Sequence, residues 1–491
     1  MTVRPSALVA EGSSIEPGSG AQGRGGAEAP PQEKTMKQRV EQTLKKLSGQ
    51  CDFLEVHIED VEESRVQFTG PQLTDLGKRV DFGGNVRALH KGGWGFASFN
   101  SIERIEEFAQ HAIDQAKLVG KEESRLAPVE PVKADVPLDL KKDPRNISLE
   151  DKVELLRAYN KQVLEHHELI ASSTTRYFDR YHQRWYGNSE GSLVYQENVD
   201  LGGAVAAMAV RKGDSQTHWV PFGSSDDFSV AEGLEDEIRQ TCDTAVAKLD
   251  APKVKGGEYT VILDPRLAGV FIHEAFGHLS EGDNVYEDKN LQEVMVLGRE
   301  FGSPLLNVYD TGLDKGYRGY LVYDDEGVPT EKTYLIREGK LTGRLHSRET
   351  AGKMGETPTG SARCIDYSHP PVCRMRNTCI EAGDATFDDM VADTKLGIYA
   401  VMASGGQTNG EMFTFTAANA YMIRDGKLAE MVRDVTLTGN VFKTLKDIDM
   451  FGNDLSIHDG PGGCGKAGQF PLPVSDGSPH IRIQNVVIGG E

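Results

Sequence analysis

The residues that could do chemistry stand closest together in Val270–Asp283, "VFIHEAFGHLSEGD". His273 and His278 bracket Glu274, giving His-Glu-x-x-x-His, one residue longer than the His-Glu-x-x-His of zinc peptidase helices. An α-helix turns ~100° per residue, so side chains four apart lie ~40° apart and side chains five apart ~140° apart. A regular helix cannot present both imidazoles to one ion. Two local changes would: a π-bulge, which puts residue i+5 where i+4 would stand, or a helix ending at Gly277 that redirects His278 through a positive φ. In His-Glu zinc peptidases the glutamate is not a ligand; it activates the attacking water and carries its proton to the leaving amine. A histidine pair with a glutamate is also common as polar decoration of a helix end. The apolar "VILDPRLAGVF" before the motif places His273 at the edge of a core. Glu281 and Asp283 follow at a spacing suited to holding imidazole N–H groups.

A catalytic zinc needs three protein ligands and one open position. Besides the two histidines, the same half of the chain offers Cys364, Cys373, Cys379, Cys464, His346, His369, His458 and His480, and composition does not choose among them. Cys464 lies in "GPGGCGKAGQ", where glycines allow close approach to a shared centre. Cys373 and Cys379 flank "RMRNT", which reads as a strand, and are expected to be structural.

The elements that must position these groups fill a 491-residue chain, 38% hydrophobic and 26% charged, the profile of a globular protein with two or three cores. No apolar run approaches the ~20 residues that cross a bilayer. Fifty-four Lys and Arg against 75 Asp and Glu give a formal charge of −21, which argues against nucleic acid and anionic membranes as partners. Six cysteines without tight spacing, and no basic segment leading into an apolar one at the N-terminus, suggest reduced thiols and a cytoplasmic setting.

Residues 1–34 are rich in Gly, Ala, Ser, Pro and Glu and are expected to be a disordered tail. Residues 36–250 alternate helices and period-two strands in the order helix, strands, helix, helix, strands, helix, and are expected to form one α+β domain with antiparallel sheet. Ser101 and Ser148 stand where helix N-caps belong. Residues 256–491 are mostly strands and glycine turns, a β-rich, barrel-like domain carrying the metal site. "IRDGKL" and "IREGKL" predict tight hairpins there.

"HEAFGHLSEGD" with "CGKAGQFPLPVSDGSPHIRI", and between them "RMRNTCIEAGDA", "GGQTNGEMFTF" and "VRDVTLTGNVFKTLKDIDMFGNDL", resemble the TldD/PmbA family of peptidases, in the family's order. The resemblance is strong over 256–491 and rests on layout over 36–250. It implies a TldD-type subunit in which His273, His278 and Cys464 hold Zn2+ and Glu274 is the catalytic residue. It also implies a homodimer, or a heterodimer with a TldE/PmbA-like subunit, around a cleft that admits extended peptides. The expected function is a zinc metallopeptidase acting on unfolded or flexible peptides. The alternatives are a non-catalytic partner subunit or a regulator that keeps the fold.

Overall fold

The computed structural model describes residues 31–120 and 124–489. Most of the tail expected at 1–34 lies outside them, but the first helix, Pro31–Leu47, begins within its last residues. Period-two alternation over 36–250 produces a single seven-stranded sheet. Gly93–Phe99, Gln72–His90 and Phe53–Thr69 form one meander; Ile170–Asn188, Leu193–Arg211 and Asp214–Ser224 form the other. Phe53–Thr69 and Ile170–Asn188 join them, antiparallel, from Glu55 opposite Asn188 to Thr69 opposite Thr174. Helices Ile105–Val119, Leu149–His166 and Glu235–Lys248 cover it. The Ser148 hydroxyl accepts the Asp151 N–H at 3.0 Å and caps its helix. Ser101 does not cap: its hydroxyl is spent on Glu103, a 3₁₀ turn Ile102–Arg104 intervenes, and the α-helix starts at Ile105.

The C-terminal half closes a barrel. Leu396–Asn409, Gly257–Leu263, Ile481–Gly489, Thr436–Asn440 and Met412–Arg424 pair in that order, and the last pairs back to the first. Where its strands pair, closure leaves an interior for side chains: Phe413 and Phe415 pack edge-on against Phe271 with centroids 5.4 and 5.9 Å away. Asp425 and Gly426 (φ 48° and 75°), like Glu338 and Gly339 (50° and 75°), take the left-handed conformations that two-residue hairpin turns require. "RMRNT" is not one strand: Val372–Cys373 and Asn377–Ile380 are separate, and Arg374 and Arg376 between them are buried.

Helix Pro265–Ile272 lies between the barrel strand Leu396–Asn409 and the strand Ser475–Ser478 of a second, six-stranded sheet. Asp264 caps it, accepting the Leu267 N–H at 2.8 Å, and accepts the Met402 N–H of the barrel at 2.9 Å. The helix therefore starts from a point fixed to the barrel wall.

It ends in a five-residue π turn, His273–Gly277, followed by a 3₁₀ turn His278–Ser280. Gly277 has φ −56°, so it does not redirect the chain by a left-handed turn. It is needed for space: a Cβ there would sit 2.0 Å from Met375 Sδ, in a core where Met375 has no exposure. Gly277→Ala should therefore cost about 1–3 kcal/mol by overpacking. The double variant with Met375→Ala should lose less than the sum of the two single losses, as measured by thermal melting.

Candidate functional site

The π turn carries His278 back over His273. The rings lie 5.3 Å apart at an interplanar angle of 88°. Cys464, 186 residues further on, brings Sγ to 3.4 Å from His278 Nε2. One donor atom from each of His273, His278 and Cys464 falls within 4.8 Å of the others. This is the borderline-soft, two-nitrogen one-sulfur set that suits zinc. The fit is supported by what holds the other imidazole nitrogens. His278 Nδ1 is 3.0 Å from Glu281 Oε2, and His273 Nδ1 is 2.8 Å from Asp476 Oδ1. The Glu281 carboxylate fixes the tautomer and orientation of His278, leaving its Nε2 for a cation, and Asp476 stands behind His273 at ion-pair distance without a hydrogen bond.

Glu281 has no exposure and is held by Lys466, whose ammonium lies 3.1 Å from it and 2.5 Å from Asp283. Asp283 thus supports the site through Lys466 and the Cys373 N–H, not by touching an imidazole. Lys466 and Asp476 were missed by the sequence reading. Both lie within the "CGK…VSDG" segment that carries Cys464. Asp476 sits beside His273 because Gly269 lets the helix approach: a Cβ on Gly269 would lie 3.0–3.1 Å from Asp476 and Gly477.

Electrostatics follow from this packing. Burial alone would lower the His273 pKa, but Asp476 and Cys464 outweigh it and hold it well above the usual histidine value. For His278, burial is likewise outweighed, by Glu281 and Cys464, and its pKa is raised to about 10. Burial would raise the Cys464 thiol; the two imidazoles bring it down to about 5. Without a cation these partners favour the protonated imidazoles and the ionised Cys464 thiol. Glu274 stands 3.8 Å from His278 Nε2. Burial raises its pKa against the pull of both histidines, which suits a group that takes and returns a proton.

Two clefts meet at Glu274. One, about 330 Å³, is lined by His273, Cys464, Arg176, Trp219 and Arg266. The other, about 740 Å³, is lined by His278, Gly406 and Gln407. The remaining donor candidates have other partners, His458 while lining the first cleft. His346 bonds Thr350 and Glu356, His369 Asp366, and His480 Asp454 and Tyr399. His458 contacts Arg266 and Ser456. Cys373 accepts the Ser347 N–H, and Cys379 packs against Gly477. Cys364 joins His57 and Asp325 in a second buried group, beside the Arg184 guanidinium and away from both clefts.

Comparison with known proteins adds to this geometry. Residues 54–116, 142–249 and 256–490 match PmbA/TldA metallopeptidase domain 1, central domain and C-terminal domain. A Synechocystis sp. protein named metalloprotease is 44% identical over 93% of this chain and 99% of its own. A Saccharolobus solfataricus protein named zinc metalloprotease TldD homolog is 28% identical over 90% and 97%. The crystal structure of TldE from Thermococcus kodakarensis, 17% identical, superposes with a TM-score of 0.74 over 92% of this chain and all of that one.

Because metal ligation needs neutral imidazoles and a thiolate, zinc added to metal-free protein at pH 7 should release about two protons, one from each histidine, and none from Cys464. Affinity should fall as pH is lowered. Calorimetry in buffers of different ionisation enthalpy reads the number directly.

Proposed function

Since the chain belongs to the PmbA/TldD family of metallopeptidases, we propose that it is a zinc-dependent peptidase that hydrolyses peptide bonds in unfolded or flexible peptides. The observation that carries this reading is the convergence of His273, His278 and Cys464 beside a part-exposed Glu274 at the junction of two clefts. His273, His278 and Cys464 would hold the ion. Zinc bound there supplies a Lewis acid that polarises the scissile carbonyl and acidifies water. Glu274 takes the proton from the attacking water and delivers it to the leaving amine nitrogen. Asp476 and Glu281 keep the imidazoles oriented, and Lys466 keeps Glu281 in place.

An extended substrate is favoured by the barrel strand beside the site. Gly397–Ala400 pair on both sides, with Gly257–Leu263 and with Met412–Arg424. Among the described residues, Ala403 to Asn409 pair on the Met412–Arg424 side only. The other side offers main-chain groups to a peptide laid down as an added strand. Gly406, where the cleft runs, brings little side-chain bulk. Such recognition excludes folded proteins. A second copy or a TldE-like subunit is the partner the family reading supports. A non-catalytic role is disfavoured by the intact glutamate and ligand set.

Glu274→Gln should keep zinc content and melting temperature near wild type while peptide hydrolysis falls at least ~10²–10⁴-fold. His273→Ala should lose both metal and activity. Loss of zinc in Glu274→Gln would make the glutamate a ligand, and unchanged activity would make the site structural.

A further inference from the structure

Where the two meanders of the N-terminal half meet, arginines on Ile170–Asn188 stand opposite acidic residues on Phe53–Thr69 at intervals of four. Arg184 faces Glu59 and Arg180 faces Glu63 across the sheet. Both pairs are made: Arg184 Nε to Glu59 Oε1 at 3.0 Å, and Arg180 Nε to Glu63 Oε2 at 2.9 Å. The next step of the ladder is Arg176 opposite Gln67. The carboxylate is replaced by an amide, which instead donates to Thr69 Oγ1. Among the described residues Arg176 has no ion pair; its side chain remains exposed, and partial desolvation with no neighbouring charge to offset it lowers its pKa.

The broken step coincides with the cleft. Arg176 shares a cross-strand row with Ala204 and Pro221, and Trp219 lies two residues along from Pro221 on the same face. Arg176, Trp219 and Pro221 line the 330 Å³ cleft together with Glu274 and Cys464. The other acids along this wall are occupied: Asp476 by His273, and Asp459 by Ser475 and the Arg318 N–H. A guanidinium forms its strongest contacts bidentately with a carboxylate, and here the protein supplies none.

We propose that Arg176 is a specificity residue that receives a carboxylate of the bound peptide, from an Asp or Glu side chain or from a free C-terminus. This deepens the peptidase reading and rests on it. Substrates then carry an anionic group at a fixed offset from the bond cleaved. The chain's charge of −21 does not oppose this at close range, because the Debye length is only about 8 Å at physiological ionic strength.

The test uses the full-length zinc protein and three matched peptide sets: neutral with an amidated end, the same with one Glu moved along the sequence, and the neutral peptide with a free C-terminal carboxylate. Wild type should prefer one anionic set, and which one identifies the source of the carboxylate. Arg176→Gln should raise KM for that set about tenfold more than for the neutral set. Gln67→Glu rebuilds the ladder pair and occupies Arg176 internally. It should raise KM for the anionic set similarly, with the neutral set within about twofold of wild type. Fluorescence anisotropy of the same peptides on Glu274→Gln protein reads binding without cleavage. Peptides that bind in an Arg176-dependent way but are never cut would retain this inference and sink the peptidase reading. Equal affinity for neutral and anionic peptides, or equal losses on all sets in Gln67→Glu, would overturn it.

Discussion

An imidazole five residues from another on a regular helix points ~140° away from it, and the site depends on removing that offset. The five-residue π turn His273–Gly277 does so. Its surroundings hold it in place: Asp264 pins the helix start to the barrel, Gly269 lets the helix rest on Asp476, and Gly277 makes room for Met375. A π turn is rare in α-helices and occurs frequently at functional sites. Here it sits inside the large core of the C-terminal half, with Ala275 and Phe276 fully buried, so packing against the barrel and the six-stranded sheet offsets its backbone cost.

The third donor needs a different kind of support, because Cys464 opens a short strand, Cys464–Lys466, that is entered through the glycine-rich segment 460–463. Arg318 supplies it. Its guanidinium donates to the carbonyls of Gly460 and Gly462 and forms a two-pronged pair with Asp200 of the N-terminal sheet at 2.5 and 3.0 Å. Arg318 and Asp200 are both buried. The paired geometry satisfies charges that would otherwise be costly to bury. The N-terminal sheet is thus part of the site: through Arg318 it clamps the glycine-rich segment that leads into Cys464, and it forms one wall of the cleft, with Trp219 and Arg176.

Much of this could be read from the chain. The strand periodicity gave the α+β layout, "RDGK" and "REGK" the hairpins, and the one-residue excess in the His-Glu segment forced a choice between two distortions. That choice was not legible, because it turns on Met375, 98 residues beyond Gly277, and on no local propensity. Cys464 could not be chosen over seven other donors by residue type; only the resemblance of its flanking motif pointed to it. Lys466 and Asp476 were invisible for the same reason: a carboxylate behind an imidazole is a tertiary contact with no spacing rule. Ser101 shows the opposite error, a capping residue whose hydroxyl found Glu103 first.

The central claim is that one zinc ion is shared by two nitrogens from the π turn and one sulfur from the clamped loop. X-ray absorption at the zinc edge tests it most directly. The account predicts one sulfur at ~2.3 Å and two imidazole nitrogens at ~2.1 Å, with the sulfur shell absent in Cys464→Ser. A wild-type spectrum with only nitrogen and oxygen neighbours, or a sulfur shell that survives in Cys464→Ser, would contradict it.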